Sequence, residues 1–203
     1  VIVTIPSSCQ KDPFGQSSSR FVVRPVQQQD LSEVAKILAE SFHLQPDFMR
    51  WLIPIMRMGI YEDLRNRWRS ASPDYACLVA LDTTYREGQA GYLVGTVEIG
   101  LRSANPWQPR TSQYAYLSNL AVHPASRRRG VAYQLLVACD RAVLAWGFQD
   151  IYLHVLENNH QARKLYLKGN YRVAAADPNW GFWFFGQPRR LFLHKNLRER
   201  KLS

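Results

Sequence analysis

The chain has 203 residues, 46% hydrophobic and 21% charged, a balance that supports a buried core and excludes a disordered polar chain. Its formal charge of +10, from 26 Lys and Arg against 16 Asp and Glu, favours anionic partners: a phosphorylated cofactor, a nucleic acid, an acidic protein or an anionic membrane. Three scattered cysteines, Cys9, Cys77 and Cys139, lack metal-ligand spacing and suit a reducing compartment, and no apolar run approaches transmembrane length.

Residues 1–19, rich in Ser, Pro and Gln, read as a flexible arm ahead of one domain over 20–198. Residues 1–5 are too short for a signal-peptide core, and the absence of an initial Met reads as a processed or trimmed chain. Phe21-Val22-Val23-Arg24 predicts a first strand. Asp30-Leu31-Ser32-Glu33 fits a capping box, with Asp30 at the N-cap of a helix that carries Leu31, Val34, Ile37, Leu38 and Phe42 at helical spacing. A second helical region runs over 46–69, and Pro54 is expected to break or kink it.

Strand-like runs follow at 75–81, 91–101 and 114–122, with a Pro-containing loop over 102–113 between the last two. A helix over 130–146 places Val131, Leu135, Cys139, Ala142 and Trp146 on one stripe, with Gly147 as its C-terminal cap. A short strand at 151–155, a helix at 159–168 capped by Gly169, and last strands at 171–175 and 191–194 complete the pattern. Strand and helix alternate in the way of a mixed sheet with helices on its faces, and 114–155 reads as a right-handed crossover between parallel strands. The aromatic run Trp180-Gly181-Phe182-Trp183-Phe184-Phe185 fits core or dimer packing better than a substrate wall.

The chemistry concentrates at Arg127-Arg128-Arg129-Gly130-Val131-Ala132, between a strand and a helix start. A first helical turn leaves N–H groups unpaired and carries partial positive charge, while glycine lets backbone approach a phosphate closely. Three glycines of a dinucleotide fingerprint and the Gly-Lys-Ser/Thr of a nucleotide-triphosphate loop are both missing.

The same turn resembles the Gln/Arg-x-x-Gly-x-Gly/Ala signature of the GNAT superfamily of acetyl-CoA-dependent N-acetyltransferases. Asn159-x-x-Ala162-x-x-Leu165-Tyr166, followed by Gly169 and Tyr171, resembles that family's second motif, with Tyr171 where Phe is usual. The likeness covers residues 20–195. It implies an α+β fold: a twisted, mainly antiparallel sheet of six or seven strands with a central, splayed parallel pair and helices on both faces. Tyr116-Leu117-Ser118-Asn119-Leu120 and Ile151-Tyr152-Leu153-His154-Val155 are similar to runs in protein N-terminal acetyltransferases, where a Tyr and a His act through water on the substrate amine. Ala39-Glu40-Ser41-Phe42-His43, Asp63-Leu64-Arg65 and Tyr75-Ala76-Cys77-Leu78-Val79 are more loosely similar to plastid and cyanobacterial members, some of which modify both Lys and N-termini.

By this resemblance the cosubstrate is acetyl-CoA, with no metal. Arg127, Arg128, Arg129, Gly130, Val131 and Ala132 would hold its pyrophosphate, the backbone of Leu120, Ala121 and Val122 its pantetheine arm, and Asn159 and Ala162 its reactive end. At least one of the three arginines reads as solvated surface. Asn159 also suits a plain N-cap, and both roles stand together. Tyr166 is the candidate acid for the departing thiolate, although its helical face also suits a core tyrosine. For the base, Tyr116 with His154 comes first and Glu98 second. The acceptor is expected to be a protein N-terminus, then a Lys side chain or a small-molecule amine, held between 42–69 and 177–189. A non-catalytic acyl-CoA or nucleic-acid binding module on the same fold is the alternative. No membrane or nucleic-acid partner is expected. The expected assembly is a monomer or homodimer in the cytoplasm, or in the plastid stroma for a plant protein whose targeting segment has been removed.

Overall fold

A computed structural model of the chain describes residues 20–41, 53–70, 72–84, 91–103, 113–176 and 188–198. The 1–19 arm, the aromatic run at 180–185 and much of the two expected acceptor segments lie outside the described residues. The elements are β1 (Phe21–Pro25), α1 (Leu31–Ser41), α2 (Ile53–Arg69), β2 (Tyr75–Asp82), β3 (Tyr92–Ser103), β4 (Gln113–Val122), α3 (Val131–Ala145), β5 (Asp150–Leu156), α4 (His160–Lys168), β6 (Arg172–Ala176) and β7 (Arg190–Asn196). Seven strands form one sheet in the order β1-β2-β3-β4-β5-β7-β6. All neighbours are antiparallel except β4 and β5. This is the expected α+β architecture.

Period-two patterning gives each strand two different faces. Leu78 and Ala80 join Val97 and Ile99 under α3 and α4, whereas Val79 joins Leu93 and Ala121 under α1 and α2. On α3 the buried stripe runs through Val131, Leu135, Cys139 and Val143, so Val143 rather than Ala142 continues it. The 3.6-residue period drifts towards the i+4 positions, and those face the sheet. The stripe also carries Asp140, which is buried against Lys195 of β7 with Nζ 2.7 Å from the carboxylate.

One local expectation, the capping box, is corrected. Asp30 does not cap α1 as expected: a 3-10 turn, Gln28–Asp30, precedes the helix, and the Asp30 carboxylate accepts from Gln27 N–H at 2.7 Å and from Arg24. Glu33 pairs with Lys36 instead of reaching back. Pro54 lies in the first turn of α2, which begins at Ile53, where a proline forfeits no helical hydrogen bond; the 46–52 part of the expected helical region lies outside the described residues. Gly169 is the C-cap of α4, as expected, where a Cβ would meet Tyr166 O at 3.3 Å, and the left-handed residue is Asn170 after it (φ 66°).

Two irregularities prepare the site. Strands β4 and β5 pair at only two positions, Ala115 with Ile151 and Tyr116 with Tyr152, and diverge beyond them. Just past that divergence β4 bulges: its register against β3 shifts between Thr96 and Glu98, and Asn119 takes φ 52°. An extra residue in one strand bends it and leaves its backbone groups unpaired locally.

Candidate active site

The anion turn leads from β4 through a 3-10 turn, Pro124–Ser126, into α3. Gly130 is the N-cap of α3 at φ 88°, ψ −4°, and no side chain caps that helix. A first helical turn presents N–H groups that have no acceptor within the helix itself. No protein atom lies within 4 Å of a Cβ built on Gly130, so the glycine is needed for its left-handed backbone and not for internal packing. Arg128 is also left-handed, at φ 62°. All three arginines are exposed, and Arg127 turns back so that its Nε donates to Val122 O at 3.1 Å. Arg127 thus ties the turn to the end of β4, leaving Arg128 and Arg129 as the outward cations. This uncapped, cationic turn fits a pyrophosphate.

Asn159 caps α4, its Oδ1 accepting from Ala162 N–H at 3.1 Å. The cap uses the carbonyl end of the carboxamide, so the amide hydrogens are not needed for it. On the same helix Tyr166 packs its ring edge-on against Tyr171, with centroids 5.6 Å apart. Burial lifts the Tyr166 phenol well above its usual pKa, and Cys139 and Tyr116 nearby add to the effect. The phenol therefore stays neutral and remains a proton donor throughout the neutral range.

On the opposite sheet face, the Tyr116 hydroxyl lies 2.9 Å from His154 Nδ1. Sequence placed these residues on neighbouring strands, close enough to act together; the structure brings them into direct hydrogen bonding. The arrangement is braced on both sides. The Arg102 guanidinium sits 3.6 Å over the Tyr116 ring, and the His154 ring rests on Phe192 with centroids 4.7 Å apart. The aromatic surface continues through Tyr152, which stacks on both Phe192 and His194. Tyr116 is among the last paired residues before β4 and β5 part, so the pair stands at the mouth of the split.

Glu98 is 1% exposed and its oxygens are engaged. Oε2 accepts from Arg67 Nη1 at 2.6 Å and from the Tyr75 hydroxyl at 2.9 Å; Oε1 accepts from Asn119 Nδ2 at 2.8 Å. Arg67 also pairs with Asp63. Burial raises the Tyr75 phenol, and the Glu98 charge raises it further. Burial likewise pushes the Cys77 thiol up to about 12, so Cys77 is not a nucleophile.

Sequence reasoning missed Arg102, Phe192, Arg67, Tyr75 and Asn119. Only Asn119 carried a local signal, since Asn is among the few non-glycine residues that tolerate the left-handed region. Among the described residues, no group of three or more His, Cys, Asp or Glu could hold a metal ion, and no helix is long and apolar enough to cross a membrane.

The model of the acetyltransferase (GNAT) family matches residues 38–170, a span holding the anion turn, the split strand pair, Asn159 and Tyr166. The chain belongs to the GNAT acetyltransferase family. It is an acyltransferase, and acetyl-CoA is the acyl donor of that family. The chain is 30% identical over 174 residues to GCN5-related N-acetyltransferase 10, chloroplastic, of Arabidopsis thaliana, covering 83% of this chain and 68% of the relative. It spans less than two thirds of the length of other chloroplastic Arabidopsis relatives that it matches. Arabidopsis thaliana NAA60 in complex with acetyl-CoA superposes with a TM-score of 0.65 at 17% identity, over 88% of this chain and 99% of that one. A spermidine N-acetyltransferase SpeG chimera from Vibrio cholerae and hSSAT superposes with a TM-score of 0.64 at 16% identity, over 91% and 100%. These two superpositions support the shared fold.

Proposed function

We propose that this GNAT acyltransferase acetylates a primary amine, with the α-amine of a protein N-terminus as its first acceptor and a Lys side chain as its second. The observation that carries this reading is the 2.9 Å contact between the Tyr116 hydroxyl and His154 Nδ1 at the mouth of the split. A neutral amine must attack the thioester carbonyl, and a Tyr–His pair is a weak base. Deprotonation at pH 7 costs about 1.4 kcal/mol for an α-amine of pKa near 8 and about 4.6 kcal/mol for a Lys near 10.4, at about 1.36 kcal/mol per unit. The pair is matched to the smaller demand. Folds superposing almost equally well on NAA60 and on a spermidine acetyltransferase leave the choice of acceptor to such local chemistry.

Bound acetyl-CoA supplies the acetyl thioester. The 128–132 turn holds its pyrophosphate on backbone N–H groups, and the backbone of Leu120, Ala121 and Val122 lines the pantetheine arm. Asn159 and Ala162 position the end nearest the thioester. His154, oriented by Tyr116, takes the proton that the amine loses as the C–N bond forms. Tyr166 gives its proton to the sulfur as the C–S bond breaks. The chloroplastic relatives favour a plastid location for the full-length protein.

The test is release of free thiol from acetyl-CoA by the purified chain with three acceptors: peptides with free N-termini, the same peptides blocked at the N-terminus, and spermidine. The free peptides should be the fastest. Equal rates with blocked peptides would point to Lys, and spermidine alone would overturn the protein assignment.

A further inference from the structure

Glu98 is a buried charge that the proposed reaction does not use. Its three hydrogen-bond donors come from three different elements: Arg67 of α2, Tyr75 of β2 and Asn119 of β4. Both oxygens of this carboxylate, which is 1% exposed, are already engaged by these donors at 2.6–2.9 Å. Its contacts describe a different task. Asn119 is the left-handed residue of the β4 bulge, and the 120–122 backbone follows that bulge, beyond the last residues at which β4 pairs with β5. Arg67 lies on α2, one of the two helices on the acceptor side of the sheet.

We propose that Glu98 is a positioning residue that clamps the β4 bulge to helix α2, joining Asn119 to Arg67 through one carboxylate and so fixing the 120–122 backbone that receives acetyl-CoA. The inference rests on that backbone being the cosubstrate shelf, as given under the proposed function. It also accounts for Asn119: the carboxamide both tolerates φ 52° and reaches Glu98, which Gly or Ser would not do together. The clamp places the acceptor-side helix and the acyl-donor strand in one hydrogen-bonded unit.

The discriminating variants are Asn119→Gly, Glu98→Gln and Arg67→Lys. Asn119→Gly keeps a backbone suited to positive φ and removes only the carboxamide, so it tests the clamp even where Glu98→Gln fails to fold. Calorimetric binding of CoA should weaken about tenfold in each, the scale of one lost hydrogen bond to a charged group. Asn119→Gly with Glu98→Gln should be no weaker than the worse single change, because both break one clamp. KM for acetyl-CoA should rise about tenfold, with kcat within about twofold and the acid limb of the pH profile unmoved. Wild-type affinity in Asn119→Gly would overturn the clamp. Unchanged CoA affinity in Glu98→Gln with loss of the acid limb would make Glu98 the base instead. A wild-type chain that does not bind CoA would overturn the acetyl-CoA reading and this inference together; wild-type binding with unaffected variants overturns the inference alone.

Discussion

Replacing Tyr116 by Phe removes the hydroxyl that meets His154 Nδ1 at 2.9 Å while leaving the ring under Arg102. The lost bond should cost about 1 kcal/mol of stability, because a partly buried ring nitrogen loses its partner. Its larger effect should be on rate. General-base assistance contributes about 10²- to 10⁴-fold, and kcat/KM at pH 7 should fall towards the lower end, since His154 remains. The pH profile tests the reasoning further. Without the relay, the variant depends on amine already neutral in solution. For an α-amine of pKa near 8 that fraction rises roughly tenfold between pH 7 and 9 and then levels off. For Lys near 10.4 it rises roughly a hundredfold over the same interval and keeps rising. The variant's kcat/KM, measured by thiol release on an N-terminal peptide, should therefore climb roughly tenfold and close part of its gap with the wild type. His154→Ala should behave alike, and the double variant should be no slower than the worse single one. A Tyr116→Phe enzyme at wild-type rate at pH 7, or one whose deficit is the same at pH 7 and 9, would refute the relay.

Tyr166→Phe should lower kcat about a hundredfold with little change in melting temperature, and because burial keeps that phenol protonated, the wild type should show no descending limb from it between pH 7 and 9; a steady-state profile of both proteins checks this. Gly130→Ala should destabilise by about 1–2 kcal/mol through its φ of 88°, and should weaken CoA by more than that, because the new methyl stands where a phosphate approaches the backbone. Calorimetry beside a thermal melt separates the two effects. Hydrogen bonds from Arg20 hold the Asp82 carboxyl at about 2. A depressed carboxylate stabilises above its unfolded pKa near 3.9 and loses that contribution as pH falls through its folded value, so the melting-temperature gap between wild type and Asp82→Asn should be full at pH 5 and narrow towards pH 2. A gap that does not change with pH would mean that the charge is not the source.

What sequence revealed depended on how local the determinant was. Gly130 announced its turn because a left-handed N-cap before an apolar helix is written in consecutive residues. Tyr116 and His154 could be placed as neighbours because a crossover helix between two strands forces those strands parallel and adjacent. The Glu98 cluster could not be assembled, since its partners lie on α2, β2 and β4, and only folding brings them to one carboxylate. The same limit misplaced the cap at Asp30: local spacing suggested a box with Glu33, whereas Arg24 on the preceding strand claims the carboxylate. Asp140 shows it again. Its place on the buried stripe of α3 makes sense only with Lys195, which arrives from the last strand. Removing one partner of such a buried pair leaves an uncompensated charge, so the pair is a strict long-range constraint that no helical pattern reveals.

The most direct measurement uses one peptide carrying both a free N-terminus and an internal Lys, incubated with acetyl-CoA and the purified chain, with the acetyl group localised by fragment mass spectrometry. Predominant modification at the α-amine, lost in His154→Ala and restored in part at pH 9, is the predicted result. Acetyl appearing only on the Lys, or no acetyl on the peptide while spermidine is consumed, would contradict it.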